Sequence, residues 1–166
     1  MNIIVAVDKK WGIGKNNGLL FKLPSDMAFF RKKTTDKVVA MGSNTLKSFP
    51  EGKPLKNRTN VVLYPDGEKR DDCIVVDDAK QLFKVLDGYD SQDVFVIGGA
   101  MFYAFMLDYC DTAYVTKVDA DGGAQVFFPN LDENKNWRLV QESQPQQDGD
   151  YSITFCTYKN DNPKKF

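Results

Sequence analysis

One acid stands out among the residues of this chain that could do chemistry. In LLFKLPSDMAFFRKKT, Leu19 to Thr34, Asp26 sits among Leu, Phe, Met and Ala, with Lys22 and Arg31 the nearest charges. If the stretch is helical, spacings of three and four put Asp26, Met27 and Phe30 on one face. An acid on an apolar face is desolvated, which raises its pKa and lets it hold a proton nearer neutral pH. Such a group can hydrogen-bond a heterocycle in two places and supply or relay a proton. No histidine is present to compete for that role. The plainer reading is a carboxylate in a first helical turn, where the helix dipole favours an ionised acid. Both readings stand at this level.

Three other stretches carry possible chemistry. In VFVIGGAMFY a buried run enters Gly98-Gly99 and then a helix, so free backbone N–H groups could meet an anion such as phosphate. A tight strand-to-helix turn explains the same glycines. Arg58 opens a strand after EGKPLKN; it is either a solvated side chain or a planar clamp for a carboxylate. GIGKNNG, residues 12–18, misses both nucleotide fingerprints: its third Gly arrives one place late for GxGxxG, and Lys15 precedes Asn rather than Ser or Thr. It reads as a flexible surface loop, with a mobile lid as the functional option.

The elements that must position these residues follow from the pattern. NIIVAVD (2–8) is a buried strand, and residues 9–23, with three Gly and two Asn, form a loop. Pro24-Ser25-Asp26 opens a helix to about Thr34. KVVAMG (37–42), RTNVVLY (58–64) and CIVV (73–76) are further strands. A short helix begins at Ser43 or Asn44, and another is capped by Asp77 or Asp78 and stopped at Gly88. After VFVIGGAMFYAFML comes the strand TAYVTKVD, 112–119. WRLVQES and YSITFCTYK then alternate on either side of QPQQDGD, the mark of an antiparallel hairpin at a sheet edge. The fold class is α/β: three layers, one mixed and mainly parallel sheet, flanking helices and an antiparallel C-terminal hairpin. Nothing in the pattern divides the 166 residues, so a single domain is expected.

Composition removes several functions. Twenty-two basic and 23 acidic side chains leave a net charge of −1, with no basic field for nucleic acid or anionic membrane. The apolar run Ile3–Val7 is too short for a signal-peptide core or a membrane span, so a cytoplasmic protein is expected. Cys73, Cys110 and Cys156 are odd in number and lack a CxxC, which fits reduced, mostly buried thiols. Without histidine a metal would need a carboxylate cluster, and no stretch supplies one with suitable spacing.

Taken in order, VAVD, GIGKNNGLLFKLPSDMAFFRKKT, VVAMGSNTLKSF, PLKNRTNVVLY, VFVIGGAMFY, AYVTKVDAD and FFP closely resemble the dihydrofolate reductases of bacterial type, from Ile3 to about Tyr158. The resemblance implies reduction of 7,8-dihydrofolate to tetrahydrofolate with NADPH, in a monomer open to antifolates. It makes Asp26 the group that binds the pteridine and assists its protonation, with Thr116 bonded to Asp26. Val5, Ala6 and Ile97 would supply contacts to the pteridine and nicotinamide. Met27, Phe30, Phe49 and Leu55 would wall the ring and benzoyl group, and Arg58 would hold the glutamate α-carboxylate. Gly98, Gly99 and Thr45 would cradle the cofactor pyrophosphate, with Gly42, Ser43, Asn44, Leu63, Tyr64, Ala100, Met101, Phe102 and Tyr103 around the cofactor. Ile13, Gly14 and the residues through Leu19 and Leu20 would form a loop that covers the nicotinamide and keeps the site dry. A cis Gly98–Gly99 peptide is also implied.

The chain departs from the family's pattern in places. Leu20-Phe21 stands where Pro-Trp is usual, so Phe21 keeps an apolar wall without an indole N–H. Gln125 replaces an aspartate thought to tether the loop. Around the cofactor, Ser43 and Met101 stand where basic residues are common, Tyr64-Pro65 where small hydroxyl residues are common, and Asp77 where positive charge would suit a 2′-phosphate. Lys47 or Lys80 could compensate.

Overall fold

The computed structural model describes residues 1–166. Its strands are β1 Asn2–Val7, β2 Gly12–Gly14, β3 Val38–Gly42, β4 Thr59–Leu63, β5 Ile74–Val76, β6 Val94–Gly98, β7 Thr112–Val118, β8 Val126–Phe127, β9 Trp137–Glu142, β10 Gln146–Asp148 and β11 Tyr151–Asn160. The α-helices are α1 Pro24–Thr34, α2 Ser43–Ser48, α3 Ala79–Leu86 and α4 Ala100–Met106. The main sheet has nine strands in the order β10-β11-β7-β1-β6-β3-β4-β5, with β9 also paired to β11. From β7 to β5 every neighbouring pair is parallel; β11 runs antiparallel to β7, and β9 and β10 antiparallel to β11. This is the mixed, mainly parallel architecture the sequence pattern implied.

Side-chain alternation makes the three layers. Ile3, Val5 and Val7 of β1 point into one core with Leu82 and Leu86 of α3 and Phe102, Tyr103 and Met106 of α4. Ile4 points the other way and joins Val39, Met41, Val62, Phe95 and Leu46 of α2, against which Phe29 and Phe30 of α1 pack. Strands buried on both faces read as continuous apolar runs for this reason. Each fully buried aliphatic side chain contributes about 1.5–3 kcal/mol.

Some local structure differs from the sequence reading. Residues 12–14, inside the expected loop, form β2 and pair with Val126–Phe127 in a separate two-stranded sheet. Glycine content hid this strand, because its pairing comes from a partner more than a hundred residues away. QPQQDGD likewise holds β10 as well as a turn. Gly42 is the N-cap of α2, so neither Ser43 nor Asn44 caps it. Asp78, rather than Asp77, accepts from Gln81 N–H at the start of α3, and that helix ends at Leu86 with Asp87 as C-cap, before Gly88. The Gly98–Gly99 peptide is cis, as the resemblance implied. No helix is long and apolar enough to cross a membrane.

The topology picks out one place for a ligand. From β1 the chain crosses by α1, on one face, to β3; from β6 it crosses by α4, on the other face, to β7. The two connections diverge between neighbouring strands, and ligands of open α/β sheets bind at such a point, beyond the strands' carboxyl ends. The register pairs Asn2 with Phe95 and Ile3 with Val96 and goes no further, although β1 runs to Val7 and β6 to Gly98. The strands part there, which opens a slot.

Candidate active site

Asp26 lies at this slot, in the first turn of α1. The Thr116 hydroxyl donates to Asp26 Oδ1 at 2.6 Å. Thr116 is buried on β7, whose Tyr114, Thr116 and Val118 face α1. Burial raises the pKa of Asp26; the Thr116 hydrogen bond lowers it, and the nearby charge of Asp148 raises it. Burial dominates, so the acid holds its proton above the ordinary carboxylate range.

Asp26 does not cap its own helix. The Ser25 N–H donates to Asp148 Oδ1 at 2.8 Å and the Asp26 N–H to Asp148 Oδ2 at 3.0 Å. Asp148 comes from β10 and is 3% exposed. Nothing in QPQQDGD marks it as a partner of residues 122 and 123 places away; only the folded chain brings it there.

The apolar walls assemble on the α1 face of the sheet. Phe30, Phe49, Leu55 and Ile97 pack against the smaller core cluster built on Ile4, Val39 and Met41. Ala6 and Phe21 border Leu23, Val118 and Ile153, and Phe21 packs on Tyr151 at 4.7 Å between ring centroids. Met27 is 54% exposed on the adjoining part of α1. The guanidinium of Arg58 lies 5.8 Å from the Phe30 ring centre, donates from Nε to Thr34 Oγ1 at 3.1 Å and from Nη1 to the Lys56 carbonyl at 2.8 Å. Buried Asn60 holds the preceding segment, accepting from Leu55 N–H and donating to the carbonyls of Leu55 and Arg58. A slot with an acid at one end, aromatic and aliphatic walls, and a guanidinium at the mouth fits a flat, polar-edged ring carrying an acidic tail.

The opposite side of the slot is made of glycine and helix starts. Gly98 has φ of +133°, a conformation that L side chains rarely adopt, and a Cβ there would come within 3.2 Å of Thr45 Oγ1. A Cβ on Gly99 would lie 3.4 Å from the same oxygen. Gly42 and Gly99 are the N-caps of α2 and α4, and neither helix start has a side-chain cap. Ser43 and Ala100 are half-buried there, Asn44 is exposed, and Met101 is 89% exposed. Leu63 packs on the larger core and Tyr64 on the smaller one.

For Val5 and Phe102 the side chains belong to the core on the α4 face, so only their main chains can serve a ligand in the slot. Tyr103 is also buried there, and its hydroxyl donates to the Ile4 carbonyl at 2.8 Å. Burial, then the charge of Asp26, pushes its ionisation far up. Ile4, absent from the sequence reading, thus brings a carbonyl to the slot, and its signal was only its place one residue before Val5.

The loop over the slot is tethered more firmly than its composition implied. Asn16 N–H donates to Gln125 Oε1 at 3.0 Å, so Gln125 makes the loop contact despite replacing aspartate. Buried Asp8 accepts from the N–H groups of Lys10, Gly12 and Gly122, joining the start of the loop region to Gly122. A Cβ on Gly122 would lie 3.0 Å from Leu20 and from Phe21. Ile13 packs against the larger core, Gly14 is buried, and Leu19 is exposed at the loop tip.

Comparison with known proteins agrees with this geometry. A family model described as dihydrofolate reductase matches residues 1–160. The chain belongs to the dihydrofolate reductase family. It is 36% identical to the dihydrofolate reductase of Bacillus subtilis (strain 168), an alignment that covers 99% of this chain and 97% of that protein. The Haemophilus influenzae dihydrofolate reductase is 33% identical over 82% of this chain and 80% of its own length, and that of Schistosoma mansoni 31% over 95% of each. As a dihydrofolate reductase family member, the protein is an oxidoreductase.

Proposed function

We propose that this enzyme reduces 7,8-dihydrofolate to 5,6,7,8-tetrahydrofolate with NADPH, and that Asp26 governs the proton that accompanies the hydride. The observation that carries the reading is Asp26 itself: a desolvated carboxyl, fixed by Thr116, at the point where β1 and β6 part. Oδ1 is oriented by the Thr116 hydroxyl and Oδ2 has no protein partner, so the carboxyl can accept from the amino group and ring N–H of a pterin. In this reading, carbonyls among those of Ile4, Ala6 and Ile97 accept from the pterin's one remaining amino hydrogen and from its N8–H. Arg58 pairs with the glutamate α-carboxylate while Phe30 and Leu55 enclose the benzoyl group. Phe21 closes the loop side as an apolar wall and donates nothing.

The residues beyond the slot fit a dinucleotide. Gly98 and Gly99 leave room against Thr45 that a Cβ would fill, which lets a pyrophosphate approach the main chain of α2 and α4. A reduced nicotinamide held there supplies the hydride; the protein contributes position, dryness and polarity. Asp26 and the pterin nitrogen beside the carbon that is reduced share one proton: the raised affinity of the carboxyl keeps that proton in the site near neutral pH, and the carboxylate left behind stabilises the cation once the nitrogen takes it. Leu20 and Phe21, packed on Gly122, keep water from the reacting face. The reading includes a single-domain, cytoplasmic monomer inhibited by antifolates; free Cys73, Cys110 and Cys156 suit a reducing compartment.

Loss of NADPH absorbance on adding dihydrofolate tests the activity, and Asp26→Asn tests the role. The variant should lose about 10²-fold or more of its turnover near neutral pH and less in acid, where solvent supplies the proton. It should also melt higher than the parent at neutral pH. A carboxyl whose folded pKa is raised adds stability only while protonated, and that stability is lost as pH rises through the folded pKa. An unchanged turnover rules out the assignment.

A further inference from the structure

We infer that Asp148 is the positioning residue of this active site: it clamps the first turn of α1 with both carboxylate oxygens and sets a second negative charge behind Asp26. The inference rests on the proposed role of Asp26 and adds a residue to it.

The geometry is specific. Asp148 is buried at the end of β10, a strand of three residues held to β11 through Asp148↔Tyr151. Its two oxygens take two adjacent N–H groups of the first turn, one from Ser25 and one from Asp26 itself. The N-cap position, Leu23, has no side-chain acceptor, and Pro24 has no N–H, so Asp148 fills the capping role from a distant strand. Movement of Asp148 therefore moves the backbone that carries Asp26. Few other charges face that acid. From α4 there is Tyr103, whose hydroxyl is engaged by Ile4. From β7 there is Thr116, which does not ionise; Lys117 points to the other face, toward Asp132. From β1 there is none; Lys22, just before α1, and Arg31, a turn and more along it, are both exposed. The like charge of Asp148 raises the pKa of Asp26 on top of burial.

Two consequences separate this role from simple helix capping. Removing the charge while keeping the shape, as in Asp148→Asn, should move the pH midpoint of hydride transfer to lower pH. Asp26 then gives up its proton more readily, and the rate near neutral pH falls several-fold. Asp148→Glu should restore the midpoint, because the charge returns. Asp78→Ala, which removes the cap of α3 at the opposite face, should lower the melting temperature by about 2–4 °C and leave the midpoint unmoved.

The test is the pH dependence of single-turnover hydride transfer for these variants, alongside carbon NMR titration of the Asp26 carboxyl. If Asp148→Asn does not fold, Asp148→Ser carries the same measurement, since its hydroxyl still accepts one N–H. A folded variant lacking the Asp148 charge whose Asp26 titrates where the parent's does overturns the inference and leaves Asp148 a cap. The NMR titration needs no substrate. An enzyme inert toward dihydrofolate but with a displaced Asp26 titration would count against the proposed function and for the clamp.

Discussion

The two sides of the slot are built on opposite plans. On the substrate side, charged and polar groups are interlocked: Thr116 and Asp148 fix the acid and its backbone, Thr34 and Lys56 fix Arg58, and Asn60 fixes the chain between. On the cofactor side, glycines and uncapped helix starts offer main chain, and the rim side chains Ser43, Asn44, Tyr64 and Met101 bring no charge. The contrast fits the chemistry proposed for each side. Tuning one proton demands a carboxyl held in a single setting, because a small shift in solvation changes its affinity. Holding a pyrophosphate asks for close approach of N–H groups, which glycine permits.

Breaking the substrate side at its mouth should have the largest effect of the tests on this contrast. Arg58→Leu removes a guanidinium already stacked over Phe30 and bonded to Thr34, so its arrangement costs little on binding. The Michaelis constant for dihydrofolate should rise about 10–100-fold, for a charge-assisted pair worth ~1.5–3 kcal/mol. Turnover should hold, as it does when uniform binding is lost. Steady-state kinetics on folate substrates with and without the glutamate tail decide it: a collapse in turnover with unchanged binding would place Arg58 in the chemistry instead.

Thr116→Val sharpens the comparison within the acid's own surroundings. The Thr116 hydroxyl bonds to the ionised form of Asp26 and lowers its pKa, so its loss moves the pH midpoint upward. That is opposite in sign to the displacement expected on removing the Asp148 charge. Dihydrofolate affinity should fall about tenfold, because Asp26 loses the bond that orients it. Equal displacements in one direction would show that both substitutions act through a general loosening of α1.

Legibility in the sequence followed the range of the interactions. α1, Pro24–Thr34, matched its expected bounds because its start signal is local. The parallel strands were plain from β-branched runs, and Asp26, Arg58 and Gly98-Gly99 stood out by type and company. What stayed hidden depends on partners far along the chain: β2 needs β8, the cap of α1 needs Asp148, and the bond of Asn16 to Gln125 spans 109 positions. Burial direction was also opaque where main chain and side chain serve different layers, as at Val5, Phe102 and Tyr103. An apolar run buried on both faces looks the same from either side.

The smallest expected effect lies at the cofactor rim, where the contrast predicts weak selection for the 2′-phosphate of NADPH. Most cations beside the ends of β4 and β5 are already engaged: Lys69 with Asp77 at 3.6 Å and with the Val75 carbonyl, Arg70 with Asp72 at 2.8 Å, and Lys53 with Glu51 at 2.8 Å. Lys47 of α2 forms no ion pair and rests 4.8 Å from the centre of the Tyr64 ring, close to the end of β4. An exposed lysine brings about 0.5–1 kcal/mol to a phosphate, since water screens it and its side chain must be ordered. Lys47→Gln should therefore lower kcat/KM for NADPH about two- to fivefold and leave NADH unchanged. Parallel assays with the two cofactors over a range of salt measure it, because a contact of this kind fades as ionic strength rises. A large preference for NADPH that survives the substitution would mean that the rim reads the phosphate through main-chain N–H groups, and the two sides of the slot would then differ less than their side chains imply.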